Sequence, residues 1–395
     1  MPASGQKPYR VYRGGRTKGK VPLARRDERA RRGPSASPSR DRKVVRRPRR
    51  SWTWKRRLLV TLVVLVALIF VWAVAGYFSV RSGVKKANER LPVGTTSVLA
   101  KQNGLMFTHA SNILLLGTDH ADNGQANRNT LQHSDSMMLL RTDPGRHRLI
   151  FMSIPRDLRA SIPGYGESKI NAAMQIGGPK LAVQTADQLF GPGLQINHVV
   201  IVDFGAFTKL IDAVGGIDVN IPQNILSNRF DCPYSPTRCQ SWEGWRFQKG
   251  VHHLNGHQAL IYSRIRENRL NAGDTDITRG ERQQAVMQAT LSKLASVSTF
   301  FKLPFNGGDL LAPISTDLKA TQFMQLAWIK FRAGATLHCR LGGRDYGDGY
   351  ITGDEANIAV IQMVLGNSAP QPPPPGSGPY GPGCVSGNAG FPSSG

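Results

Sequence analysis

Twenty-one consecutive residues from Leu58 to Phe78 carry neither charge nor proline, and no other feature restricts the folding of this chain so strongly. A helix rises 1.5 Å per residue, so such a run spans roughly the ~30 Å hydrocarbon core of a bilayer. Trp52, Trp54, Trp72 and Tyr77 sit near its ends, where amphipathic rings favour the membrane interface. A core helix of a soluble protein shows one apolar stripe, whereas this segment is apolar all round and flanked by bases. A cleaved signal with Ala73-Val74-Ala75 as its small-residue site is the competing assignment. Signals are normally ~15–30 residues in all, and the basic region ahead of this run is far longer. The expectation is one transmembrane helix over residues 58–80.

Charge fixes the expected orientation. The first 57 residues hold 21 Lys+Arg against Asp27, Glu28 and Asp41, and so carry +18 of the chain's +25. Repeats such as Arg46-Arg47-Pro48-Arg49-Arg50 bury too little apolar surface to fold. Residues 1–57 are therefore expected to be a disordered cytoplasmic tail, with everything after the anchor outside. The tail has no helix-turn-helix pattern, so no nucleic-acid partner is expected; contact with anionic membrane lipid is. Cys232, Cys239, Cys339 and Cys384 all follow the anchor, and an even number in an exported region points to disulfides. Four cysteines allow three connectivities. The expected one staples Cys232 to Cys239 in a small loop and pins the C-terminal tail through Cys339 and Cys384.

Residues 81–110 are expected to form an extracellular stalk with a helical start from Ser82 to Arg90. From Ser111 the periodicity becomes that of buried strands and amphipathic helices. Strands are expected at Ile113–Leu116, Met137–Arg141, Leu149–Ile154, His198–Phe204, Asp218–Ile221 and Thr336–Leu341. Helices are expected at Lys169–Phe190 (bent at Gly177-Gly178-Pro179), Gly205–Val214, Gly256–Arg266, Thr278–Val297, Thr321–Ala333 and Asp354–Leu365. Asp274 or Asp276 would cap the Thr278 helix. Residues 223–250 form an insertion, and no element is assigned between Ser298 and Ala320. Alternating strands and helices argue for an α/β layered domain over residues 111–366. Residues 367–395, rich in Pro and Gly, are expected to be disordered or draped over the surface.

Four segments of this domain carry arginine or aspartate among apolar neighbours. They are Asn112–Asp119, Ser134–Met138, Ser153–Asp157, and Tyr262–Arg266 with Asp276–Gln284. Guanidinium forks grip phosphate oxygens in a bidentate way. Arg279 and Gln283 lie four apart and share a helix face, whereas Arg264 and Arg266, two apart, should splay apart on a helix. Arg156 ends a buried strand, where α/β proteins place ligand-contacting groups. Asp119 and Asp135 are candidates to hold Mg²⁺ (or Mn²⁺) against a pyrophosphate, or one of them to act as a general base. Capping of a turn and a strand is the plainer role for both. Asp157 is expected to be a structural partner of Arg156 or of a nearby backbone amide. The nine histidines show no zinc spacing; His252-His253 is expected to be a loop pair. Neither G-x-S-x-G nor a P-loop occurs, so serine-hydrolase and P-loop nucleotide chemistry are unsupported.

In order along the chain, Asn112–Asp119, Asp135–Met138, Ser153–Asp157, Lys169–Ala173, Asp212–Val219, Leu254–Arg266 and Asp276–Gln284 resemble the LytR–CpsA–Psr family of cell-wall glycopolymer ligases. The resemblance implies a mixed central β-sheet flanked by helices, with an apolar interior that accepts a polyprenyl tail. It implies transfer of a glycopolymer from a polyprenyl-pyrophosphate carrier to peptidoglycan through a phosphodiester. It assigns Asp119 and Asp135 to Mg²⁺, and Arg156, Arg264, Arg266, Arg279 and Gln283 to the pyrophosphate. Two residues before Asp135, where many relatives carry arginine, stands His133, so that contact is expected to be lost, altered or supplied by Arg128. A pyrophosphatase with water as acceptor, and a membrane-bound regulator with a nucleic-acid-binding tail, are the competing functions.

Overall fold

The computed structural model describes residues 53–118, 134–271, 276–294, 296–377 and 381–387. Its centre is a seven-stranded mixed sheet. The strands are β1 (Ser111–Thr118), β2 (Ser134–Asp143), β3 (Arg148–Ile154), β4 (His198–Asp203), β5 (Ser315–Thr316), β6 (Ala335–Arg340) and β7 (Gly383–Ser386). They lie in the order β5-β4-β1-β2-β3-β6-β7. β1 runs parallel to β4, and β3 parallel to β6; the other neighbours are antiparallel. The carboxyl ends of β1, β3, β4 and β6 therefore share one edge with the start of β2.

Alternation along the strands sorts the core into two faces. Ile113, Leu115, Met138, Leu140, Leu149 and Phe151 face one side. Leu114, Leu116, Met137, Leu139, Ile150 and Met152 face the other. That accounts for uninterrupted apolar runs in place of an HPHP pattern: both faces are covered. The first face is covered by α3 (Phe204–Ala213), α4 (Gly256–Arg264), α5 (Asp276–Leu294), α6 (Val297–Leu311) and α7 (Ala320–Arg332). The second is covered by α2 (Ala172–Phe190) and α8 (Asp354–Leu365). α2 is broken by non-helical backbone at Gly177 and Gly178, where the bend was expected.

Four expectations need correction. The apolar run is the first part of a 36-residue helix, α1 (Trp54–Glu89). It is the one helix among the described residues long and apolar enough to cross a membrane, and its most apolar window is unburied. Beyond the run, Val80, Val84 and Ala87 join the core of the first face, while Leu91, Val98 and Leu99 pack on the second. Residues 81–110 are thus part of the domain and no free stalk. Secondly, α6 fills the stretch with no expected element. Thirdly, the Pro/Gly-rich tail supplies β7, an edge strand of the central sheet. Fourthly, His252 and His253 lie in the strand Gly250–Leu254, which pairs with Ile217–Ile221, and His253 Nδ1 is 2.8 Å from Asp218 Oδ1. Both expected disulfides, Cys232–Cys239 and Cys339–Cys384, are formed. The basic tail up to Trp52 and the expected cap Asp274 lie outside the described residues, as does the side chain of Asp276.

Candidate functional site

Between the first face of the sheet and helices α3 to α7 lies a cavity of about 390 Å³. Its body is aliphatic and aromatic, with Ile113, Leu115, Met138, Val200, Leu311 and Leu326 among the lining residues. Its polar lining includes Ser136, Asp203, Ser263, Arg264, Arg266, Arg279 and Gln283. Four of the five residues assigned to a pyrophosphate thus line one cavity together. Gly117 sits where β1 meets β2 beside the cavity: a Cβ there would stand 3.1 Å from Ser136 Cβ, so a larger residue would require Ser136 to shift by a few tenths of an ångström.

Local folding explains how the arginines converge. α4 starts at a capping box in which Asn255 and Gln258 exchange hydrogen bonds. It stops at Arg264, because Ile265 leaves helical geometry (φ −59°, ψ 124°) and plugs the core. Arg266 consequently lies past the helix, and the splaying expected for a helical pair does not arise. The buried Arg282 guanidinium donates to the Ile265 carbonyl and ties α5 to this turn. On α5, Arg279 is buried to 6% exposure and shares the cavity face with Gln283, one helical turn on, as the spacing implied. Gln283 Oε1 accepts from the Ser136 hydroxyl at 2.9 Å, which links the helix to β2.

Arg264 lies over the rings of Phe204 (4.7 Å) and Phe230 (5.5 Å) and pairs with Asp231. Two aromatic faces and one carboxylate hold the guanidinium without surrounding it. Asp203 ends β4, caps α3 by accepting from Ala206 N at 2.6 Å, and lines the cavity. Asp203, Ser136 and Asp231 were not anticipated. Each would have needed knowledge of strand order or of the insertion's path, which no local pattern carries.

Arg156 does not line this cavity. It follows β3 at the same sheet edge, and its Nε is 3.3 Å from Asp157 Oδ2. Asp157 also accepts from Lys169 Nζ at 2.8 Å, so the structural role expected for Asp157 holds. Asp119, His133 and Arg128 lie outside the described residues, and so does the side chain of Asp135. Their chain neighbours are placed: Thr118 pairs with Ser134 across β1 and β2. The Ser134 hydroxyl is fully buried and has no hydrogen-bond partner among the described residues. Those residues contain no group of three or more His, Cys, Asp or Glu placed to hold a metal.

Comparison with known proteins supplies the family. A family model, the LytR_cpsA_psr family, matches residues 77–334. That span starts within α1 and runs past α7, taking in every residue that lines the cavity. The regulatory protein MsrR of Staphylococcus aureus is 33% identical over 215 residues, 54% of this chain and 58% of MsrR. The chain thus spans little more than half the length of that relative. The polyisoprenyl-teichoic acid–peptidoglycan teichoic acid transferase TagU of Oceanobacillus iheyensis is 32% identical over 277 residues, 67% of this chain and 76% of TagU. The solved structure of the LytR-CPS2A-psr family protein YwtF (TagT) with bound octaprenyl pyrophosphate lipid shares the fold. It superposes with a TM-score of 0.50 at 24% identity, covering 70% of this chain and 97% of that one. With the mixed sheet, the cavity and its arginines, this match establishes that the chain belongs to the LytR–CpsA–Psr family.

Proposed function

We propose that this chain is a membrane-anchored transferase that moves a glycopolymer from a polyprenyl-pyrophosphate carrier onto peptidoglycan as a phosphodiester. One observation carries the reading: an apolar cavity bordered by Arg264, Arg266, Arg279 and Gln283. A carrier with a long hydrocarbon tail and a diphosphate head needs an apolar slot beside a cationic rim. The relative TagU is named for transfer of this kind. The bases ahead of the span and the two disulfides beyond it support a cytoplasmic N-terminus and an extracellular domain.

In this reading the acceptor hydroxyl attacks the phosphorus that bears the glycan. A new P–O bond forms as the bridging P–O bond to the carrier breaks. The products are the glycan phosphodiester, polyprenyl phosphate and the proton of the hydroxyl. Arg264, Arg266 and Arg279 neutralise charge on the phosphoryl oxygens, and water excluded by the apolar walls strengthens that interaction. Gln283, held by Ser136, orients the Arg279 face of α5. Arg156 stands at the same strand ends and adds positive charge. Asp119 and Asp135 would hold Mg²⁺, which neutralises the diphosphate. Carboxylate oxygens are the hard donors that this cation takes, and the buried Ser134 hydroxyl, next to Asp135 in the chain and without a hydrogen-bond partner among the described residues, would be a further oxygen donor.

The test uses the full chain in detergent with a polyprenyl-pyrophosphate-linked saccharide, Mg²⁺ and peptidoglycan fragments, and product masses as readout. Transfer should yield a phosphodiester-linked fragment, and Arg279→Ala should slow it roughly 100- to 1,000-fold. Saccharide phosphate with no adduct would identify a pyrophosphatase instead.

A further inference from the structure

The insertion that carries the Cys232–Cys239 staple builds a second site. Tyr234, Arg238, Trp242, Glu243, Trp245 and Arg246 line an open hollow of about 500 Å³. Trp242 and Trp245 meet nearly at right angles (83°) with ring centres 5.3 Å apart, so their indole faces form a corner. Trp245 is fixed from behind. Its indole N–H donates to the Phe230 carbonyl at 3.0 Å, and its ring meets His257 edge-on at 5.7 Å. The Arg238 guanidinium lies 4.0 Å above the Tyr234 ring, and Arg246 is paired with Glu243.

That lining suits a neutral, hydroxyl-rich ligand. The faces of pyranose rings are sheets of C–H groups that stack on indole, while their hydroxyls are taken by guanidinium and carboxylate. It suits a phosphate poorly, since Arg246 is neutralised by Glu243 and Arg238 is spread over an aromatic face. It suits a lipid tail poorly as well, because charged groups ring the hollow.

The hollow adjoins the cationic rim. Phe230, whose carbonyl anchors Trp245, lines the apolar cavity, and the next residue, Asp231, pairs with the rim arginine Arg264. Substitution at phosphorus proceeds with attacking and leaving oxygens in line. The leaving polyprenyl phosphate points into the cavity, so the attacking hydroxyl must arrive from outside the rim, where the exposed insertion stands.

We propose that this tryptophan-lined hollow is the subsite that binds the sugar units of the acceptor glycan strand, an inference that rests on the transferase reading above. The hollow then sets which strand end or branch presents its hydroxyl, independently of how the carrier is held.

The experiment measures binding of an uncrosslinked peptidoglycan tetrasaccharide to the full chain in detergent, by calorimetry, with no carrier present. Wild type should bind it. Trp242→Ala and Arg238→Ala should each weaken binding tenfold or more while affinity for a polyprenyl pyrophosphate probe is kept. In transfer assays both should raise the acceptor KM with little change in kcat. Trp242→Phe, which keeps a ring, should recover part of the affinity and guards against a folding defect in the alanine variant. No binding by wild type, or wild-type affinity in both Trp242→Ala and Arg238→Ala, overturns the proposal. Binding measured without a carrier does not depend on turnover, so a chain that transfers nothing would sink the transferase reading while this result stood separately.

Discussion

Buried to 5% exposure in β6, His338 stacks on Phe151 with ring centres 5.6 Å apart, and its Nε2 has no hydrogen-bond partner among the described residues. Burial, with a smaller contribution from Lys330, pushes its pKa from 6.5 down to about 4. In the unfolded chain the imidazole takes up a proton near pH 6.5, whereas the folded protein refuses it until about 4. Stability should therefore be full above pH 6.5 and fall towards pH 4, with a contribution of up to about 3 kcal/mol from this residue. His338→Phe, which keeps the stack, should flatten the melting temperature over that window; an unchanged acid slope would place the proton uptake elsewhere. At the site, single residues were legible in proportion to how local their geometry is. Arg279 and Gln283 could be paired from an i,i+4 spacing. Arg264 and Arg266 could not, because only a buried Ile265 reveals that the helix ends between them. Asp231 reaches Arg264 through an insertion whose path the sequence does not disclose.

Among the elements, α1 shows how an anchor becomes part of a fold. Its outer face carries Arg81, Lys85, Lys86 and Glu89, while Gly76, Val80, Gly83, Val84 and Ala87 are buried at helical spacing. Small residues make that stripe faint in a hydrophobicity scan, so the sequence suggested a break near Arg81 where the helix runs on. Likewise α6 contains Pro304, Gly307 and Gly308, which signal a loop when read alone. The two omissions have one cause. A Cβ on Gly83 would stand 2.4 Å from the Gly308 carbonyl oxygen, and one on Gly307 would stand 3.0 Å from Val80 Cγ2. The glycines that obscure both helices allow their backbones to touch. Gly83→Val should force them apart and cost about 1–3 kcal/mol, read as a fall of roughly 5 °C in melting temperature. Lys86→Val, on the exposed face of the same helix, should have little effect. Equal effects from the two would mean that the seam contributes nothing to packing.

Across the whole molecule, composition misleads most at the C-terminal tail. The strands and the layered α/β core followed from apolar runs and turn signals, but a strand within a Pro/Gly-rich tail did not, because composition there argues against one. What makes β7 a strand is its partner. Cys384 lies directly opposite Cys339 in the antiparallel pair, and both are buried. The tail is held further by Cys384 N donating to Gln371 O at 2.7 Å and by Arg340 donating twice to the Gly381 carbonyl. Burial lowers the Arg340 pKa, and Glu281 on α5 opposes that fall from 3.3 Å. Gln284, also on α5, donates to the Cys339 carbonyl at 3.0 Å. A continuous set of contacts thus runs from the tail through β6 to the helix that presents Arg279 and Gln283. Loop entropy ranks the two disulfides: the Cys339–Cys384 link closes 45 residues and the Cys232–Cys239 link seven. In the chain-entropy model these contribute about 4 and about 2.5 kcal/mol. Replacing Cys339 and Cys384 together with alanine should lower the melting temperature more than replacing Cys232 and Cys239. It should also weaken binding of a polyprenyl pyrophosphate probe, because α5 loses its brace. The Cys232–Cys239 pair should instead spare that probe and weaken binding of the acceptor tetrasaccharide. Identical melting and probe affinity in the two double variants would show that the tail is not coupled to the cavity, and that β7 only covers a sheet edge.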